Sequence, residues 1–494
     1  MNVALVIILL SLLIAIILAV WAKKGKEMNL EQWTVGGRNF GATLVFFLMA
    51  GEFYTTFTFL GGSGWAYGKG GPAFYILGYL SLEYVIAFFF FPAVWEYGKK
   101  HKLVSQPDIF VSKYKSQLLG IIVAIVGVMA IIPYLVVQFK GLGILVSMSS
   151  YGSISSTAAI WLGGISLGIY VMISGIHGSA WTSVLKDFLI ILVVIFLGIY
   201  MPFHYYGGLH NMFEAITKVK PDFLTLPDKG LNSSWFISTV IMNVIGAFMW
   251  PHVYGSIFSS RGKKALRRNA AIMPLYTLML LFVLFIGFTA VLQVPGLKDP
   301  DLSLLQLSVK TFDPWFVGII GGVGLLTALV PGSILIMTAA TLLSKNVYKV
   351  LVPLANEKQV SILAKVLVPI ITLISIYFTL SGGKTIVFLL LVGFSISAQV
   401  APALFYSFLK NNFVTKQGAI AGIIVGLIII GYIDITGRTV SSLFPFLPQF
   451  VKDMNIGIIA LAVNIIVMLV VSLLTKGLSH SNSKNEQGKV NHLI

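Results

Sequence analysis

Apolar positions along this chain run together instead of alternating. Stretches long enough to cross hydrocarbon, about 20 residues each, fall near 4–22, 41–66, 74–97, 118–147, 156–176, 181–203, 233–257, 270–294, 315–343, 361–380, 384–409, 415–435 and 455–475. In lipid only helices and closed barrels satisfy every backbone group. The short alternating segments of a barrel do not match this pattern. The prediction is an all-α integral membrane fold with about thirteen transmembrane helices. The longest gap, 203–231, leaves no room for a soluble domain. The first stretch lacks the basic start of a signal peptide. Lys23, Lys24 and Lys26 follow it instead, which predicts an uncleaved span with the N-terminus outside. The polar residues after Leu474 are expected to form a disordered tail.

Composition agrees with a lipid solvent: 57% of residues are hydrophobic and 10% charged, against about a quarter charged in soluble domains. The absence of cysteine excludes disulfides, thiolate zinc sites and a cysteine nucleophile. The net charge of +17 raises the question of nucleic acid. Its distribution answers it. Lys and Arg in the loops 23–38, 99–115, 261–268, 345–358, 410–416 and the C-terminal tail outnumber those in the alternate loops by more than two to one. That is a topology signal, and it places the C-terminus inside. Paired catalytic carboxylates, metal-ligand clusters and phosphate loops are not apparent, so neither an enzyme nor a cofactor is expected, and no obligate protein partner.

Two spans look interrupted. The second carries Ala50-Gly51-Glu52, then Thr55, Thr56 and Thr58, then Gly61-Gly62-Ser63-Gly64; the seventh ends in Trp250-Pro251-His252. Five helices separate their starts. Corresponding broken helices point to an inverted-repeat transporter with its site at mid-membrane; ordinary kinks are the plainer reading. Ionisable residues inside a span are costly and usually functional. Glu52 reads as a proton-coupling carboxylate or as a cap at the break. Lys140, within Gln138-Phe139-Lys140-Gly141, reads as the countercharge for an anionic substrate or as an ammonium in place of sodium. Otherwise it snorkels, or pairs with a carboxylate such as Glu52. Thr55, Thr56, Gln138 and Trp250 are candidates to contact substrate; the threonines equally suit capping or packing. His252 would line the pocket or orient the loop. Lys186 and Asp187 are adjacent on a helix and so are not expected to face each other.

Three segments in order resemble the sodium/solute symporter family, with its ten-helix core of the leucine-transporter type. They are Gly36-Gly37-Arg38-Asn39-Phe40-Gly41; Gly175 with Trp181-Thr182; and Trp250-Pro251-His252 with the basic run Arg261–Arg268. Residues 50–62 look most like the branch handling monocarboxylates and small amino acids. The resemblance implies a sodium site between the first and eighth core helices, with carbonyl ligands at Gly51 and Tyr54 and side-chain ligands at Thr327, Val330 and Pro331. Neither Val330 nor Pro331 has a side-chain oxygen, and sodium wants oxygen. A register shift would bring in Gly332 and Ser333. An acid common in the family two residues after the first carbonyl is Phe53 here, and the acid after Trp-Thr is Ser183.

The expected organisation is an extra span and loop at 1–40, a 5+5 inverted-repeat core at 41–409 (repeats 41–203 and 233–409), two further spans at 410–475 and a cytoplasmic tail at 476–494. The expected function is cation-coupled symport of a small carboxylate-bearing solute across the cell membrane. Site chemistry favours H+ as the coupling ion, and the resemblance points to Na+. Alternatives are a sodium-coupled symporter of another solute such as proline or a vitamin, and a transporter-like membrane sensor.

Overall fold

The computed structural model describes residues 2–490, with side chains through Lys476; of the tail expected at 476–494, the backbone to Val490 continues the last helix and the side chains from 477 on lie outside the described residues. Among the described residues the fold is helical, with one isolated bridge between Phe40 and Ser260. In order the helices are α1 (Val3–Lys23), α2 (Leu30–Val35), α3 (Ala42–Phe53), α4 (Phe57–Lys69), α5 (Gly71–Lys100), α6 (Gln106–Tyr114), α7 (Gln117–Ser149), α8 (Ser156–Tyr206) and α9 (Leu209–Val219). They continue with α10 (Ser233–Ala247), α11 (Pro251–Ser259), α12 (Lys263–Gln293), α13 (Ser303–Thr311), α14 (Pro314–Leu351), α15 (Glu357–Ser381), α16 (Ile386–Ala398), α17 (Ala401–Phe408), α18 (Lys416–Thr436) and α19 (Ile456–Val490).

Nine of the described helices are long and apolar enough to cross a membrane, and up to twelve spans result if each bent pair counts as one. The bent pairs are α3/α4 at 50°, α10/α11 at 51° and α16/α17 at 42°. The first two lie where the sequence showed its interruptions. The third was read as a plain span; Pro402, just inside α17, was its available signal.

At 51 residues α8 would be about 76 Å long if straight, far beyond the hydrocarbon thickness. It is two helices joined at Gly175, whose φ of 51° and ψ of −144° leave the helical region. A Cβ there would stand 2.4 Å from Trp33 Cδ1, so only glycine lets the indole in. The indole N–H donates to Val171 O at 3.1 Å, the carbonyl exposed by the break. The family-like Gly175 thus has a structural cause.

Large apolar side chains such as Leu13 and Ile17 on α1, Phe188 and Leu192 on α8 and Leu373 and Tyr377 on α15 point outward, as expected for a lipid-facing belt. α14 is almost wholly buried. Small residues let backbones approach it: Gly318 and Gly322 face α1, and Gly321 and Gly324 face α7. The sites below lie where α3, α8, α11 and α14 meet.

Candidate functional site

At Tyr54 the backbone leaves the helix (φ −83°, ψ 86°). The Thr55 N–H, which would have reached back to Gly51 O, turns to Phe53 O at 3.1 Å and to Thr58 Oγ1 at 2.9 Å. Thr55 Oγ1 in turn accepts from Phe57 N–H at 3.1 Å. Thr55 and Thr58 therefore cap the break, and the run of hydroxyls is what makes the interruption affordable in lipid. Thr56 is buried and donates to Gln138 Oε1 at 2.9 Å. These two candidates come together, each satisfied by the other.

The break leaves the carbonyls of Gly51 and Tyr54 without helical partners on one side of α3. The Lys186 ammonium from α8 fills that side, at 3.2 Å from Gly51 O and 2.7 Å from Tyr54 O. Its third neighbour is Asp187 Oδ1 at 2.7 Å, and both side chains are fully buried. This corrects the expectation that adjacent residues on a helix do not meet. The long lysine stem is free to curl, so its Nζ reaches its own neighbour's carboxylate while the alkyl part stays on the face toward α3.

The remaining residues implied as sodium ligands do not reach these carbonyls with oxygen. Thr327 donates to Gly324 O at 2.6 Å within its own helix. Val330 turns a methyl toward Gly51: a Cβ built on that glycine would lie 3.3 Å from Val330 Cγ1. Pro331 sits inside α14. Ser333 donates to Val330 O and shares a hydrogen bond of 2.6 Å with Ser179.

Glu52 is buried and accepts a hydrogen bond from Ser256 of α11 on Oε1, so the two broken helices are joined through it; its Oε2 has no partner. Tyr134 of α7 donates to the Glu52 backbone carbonyl at 2.9 Å. The Tyr134 ring lies 5.1 Å from Trp250 and 5.8 Å from His252, and Trp250 packs against Phe394 at 5.4 Å. Trp250 is the N-cap of α11 without a side-chain hydrogen bond to it, so that helix start is uncapped, unlike the break at Thr55. Glu83 of α5 is fully buried and neither carboxyl oxygen has a partner. It lies close enough to feel the charge of Glu52, and the contact of their neighbours Phe53 and Tyr84, rings 5.3 Å apart, brings the two segments together. The buried Asn243 amide and His252 Nδ1 also lack partners.

Lys140 is not in this group. Its Nζ lies 2.7 Å from Asp301 and 3.2 Å from Asp299, in the connection between α12 and α13. Asp301 also accepts from Ile386 N–H at 3.0 Å, tying the start of α16 to the same point. Lys140 stands about two and a half turns from the end of α7, and its stem carries the charge toward that end. The pairing with Glu52 is therefore not formed; the ammonium is engaged by Asp301 and Asp299.

The opposite end of the bundle has its own latch. Asp108 of α6 accepts from Lys345, from Asn346 at 2.8 Å and from the N–H groups of Val104 and Ser105 at 3.0 and 3.1 Å. Burial alone would raise this carboxyl, but the Lys345 ammonium and these donors more than offset it and hold it below the usual range.

Sequence reasoning missed Glu83, although a carboxylate in the middle of a span was itself the signal. Lys186 stands out as a charge within a span, but its spacing from Asp187 argues against their meeting. Tyr134, Ser256 and Asn243 carried no signal, since single hydroxyls and amides in apolar spans are common.

Comparison with known proteins adds the following. Residues 33–426 match the Sodium:solute symporter family. The chain is 61% identical to the uncharacterized symporter YhjB of Bacillus subtilis (strain 168) over 96% of this chain and 98% of that one. It is 30% identical to a monocarboxylate transport permease protein of Rhizobium johnstonii over 82% of each chain. Among solved structures, a Na+-coupled sialic acid symporter in a substrate-bound outward-open state superposes with a TM-score of 0.79 at 15% identity, covering 96% of this chain and 98% of that chain.

Proposed function

This chain belongs to the sodium:solute symporter family, and on that footing we propose that it carries a small carboxylate-bearing solute, a monocarboxylate or small amino acid, by alternating access. Membership makes it a multi-pass membrane transporter that moves a small molecule by cation-coupled symport, not an enzyme. On the same reading α8 counts as two spans divided at Gly175, for thirteen in all, and the loop charges favour the N-terminus outside. We assign residues 41–409 to an inverted-repeat core, with 1–40 before it and 410–475 after it.

The observation that carries the reading is the junction of α3 and α11 through Glu52 and Ser256 beside an uncapped helix start. The N-terminal end of a half-helix inside a membrane carries partial positive charge, which suits a carboxylate; here Pro251 has no N–H and Val253 N–H donates to Trp250 O at 3.2 Å, so the attraction is that of the helix dipole. Trp250, Tyr134 and Phe394 pack into an apolar wall beside it. A solute carboxylate entering beside Glu52 and Glu83 adds negative charge to a low-dielectric site. A cation entering with it offsets that charge, which is the physical ground for symport. The named monocarboxylate permease among the relatives supports the solute class.

The test is uptake into proteoliposomes of lactate, pyruvate, alanine and proline, each under an imposed sodium gradient and an imposed pH gradient. Accumulation of at least one of them under one gradient is the expected result. Failure of all four under both gradients sinks the solute class.

A further inference from the structure

We propose that the Lys186 ammonium stands where a sodium ion would sit in this core, so that the position is filled by the chain itself and binds no metal ion. The proposal rests on the symporter reading above for which carbonyls matter, those of Gly51 and Tyr54. Everything else comes from the local geometry.

An ammonium has three N–H donors and no acceptor. Around Lys186 Nζ stand three oxygens, the carbonyls of Gly51 and Tyr54 at 3.2 and 2.7 Å and the Asp187 carboxylate at 2.7 Å. Two of the N–H groups donate to the carbonyls, and the charge is met by Asp187 as an ion pair at 2.7 Å, although neither Asp187 oxygen lies in hydrogen-bond geometry. The charge is matched as well, since one buried cation faces one buried carboxylate in direct contact, with Glu52 within electrostatic reach.

The walls agree. A bound sodium ion would need further oxygens from α14. α14 presents a Val330 methyl toward Gly51, and the hydroxyls of Thr327 and Ser333 are turned to carbonyls of their own helix. Ser183 of α8 closes the other flank, its Oγ 2.6 Å from where a Gly51 Cβ would be. Its proton goes to Ser179 O at 2.7 Å. The absence of free hydroxyls on α14 and the presence of an ammonium from α8 coincide at one point. Together they replace a mobile cation by a tethered one.

The test compares thermal unfolding of the purified wild type, Lys186→Ala and the double variant Lys186→Ala/Val330→Ser in sodium and in potassium chloride at equal ionic strength. The wild type is expected to unfold at the same temperature in both salts. The variants expose the two carbonyls and Asp187, and the double variant adds a hydroxyl. In them sodium is expected to raise Tm by about 2 °C or more over potassium, in a concentration-dependent way. A wild type that sodium stabilises specifically overturns the proposal, and so do folded variants with no preference for sodium. If neither variant folds, the wild type decides alone: a sodium-specific rise overturns the proposal and its absence upholds it. None of these readouts needs a solute, so an error in the solute class leaves them standing. Equally, a wild type that responds to sodium leaves the symporter reading intact.

Discussion

Gly51 lies wedged between Ser183 and Val330, so that a Cβ on the glycine would stand 2.6 Å from Ser183 Oγ and 3.3 Å from Val330 Cγ1. Three helices meet on that hydrogen atom. Gly51→Ala is therefore expected to destabilise by about 1–3 kcal/mol, the usual cost of overpacking. Ser183→Ala in the same chain should recover part of the loss, because it removes the closer of the two contacts. Thermal unfolding of the single and double variants checks this; additive losses would show that the wedge is not where the cost arises.

Glu83 holds two buried carboxyl oxygens without a protein partner. An unpaired buried polar group costs stability, and such costs are tolerated where function needs them. Glu83→Met should thus leave stability unchanged or raise it by about 1–3 kcal/mol, while uptake falls at least tenfold. A variant that loses stability and keeps uptake would make Glu83 a structural residue.

Lys140 offers a direct check on the solute's countercharge. If the ammonium met the solute, Lys140→Met would weaken binding by about 2 kcal/mol or more, roughly thirtyfold. Its ion pairs with Asp299 and Asp301 at the end of the bundle predict instead a change in KM of less than about threefold. Concentration-dependent uptake decides between them.

Asp108 gives the prediction on pH. Its carboxyl is held below the ordinary value of about 3.9 in the folded protein. The stability it contributes is present above that value and is lost as pH falls through the lower folded value. The latch to Lys345 and Asn346 should hold through neutral and mildly acidic pH and loosen only below about pH 4. The chain has no cysteine, so a spin label on Thr338→Cys, beside Ser105 in the cleft at this end, reports without background. Its mobility should rise on acidification in the parent and be high at every pH in Asp108→Asn. Equal mobility in both at neutral pH would show that the carboxylate is not the latch.

The helices and two of their three breaks were legible because lipid imposes one rule on every residue: long apolar runs, with Gly, Pro and hydroxyls where the backbone is freed. The third break, at Gln399-Val400, was hidden because its proline lies beyond the bend, where α17 has already begun. Which charges meet was less legible. Lys140 and Lys186 both lie in apolar spans. One reaches a loop carboxylate 161 positions away and the other its immediate neighbour. Spacing along a helix gives the direction of a Cα–Cβ bond, not the end of a four-carbon stem. The threonines of the break were read both ways, and the capping geometry of Thr55 and Thr58 follows from backbone angles that composition does not encode.

The tripod at Lys186 has a consequence for the empty carrier. A free ion leaves when its solute leaves, and the carbonyls it bridged are then bare. A cation fixed to α8 cannot leave. The bridge from α8 to the end of α3 persists when nothing is bound, and the unloaded protein can make its return crossing with this junction still closed. On the proposal above, α3 and α8 stay joined through the return stroke.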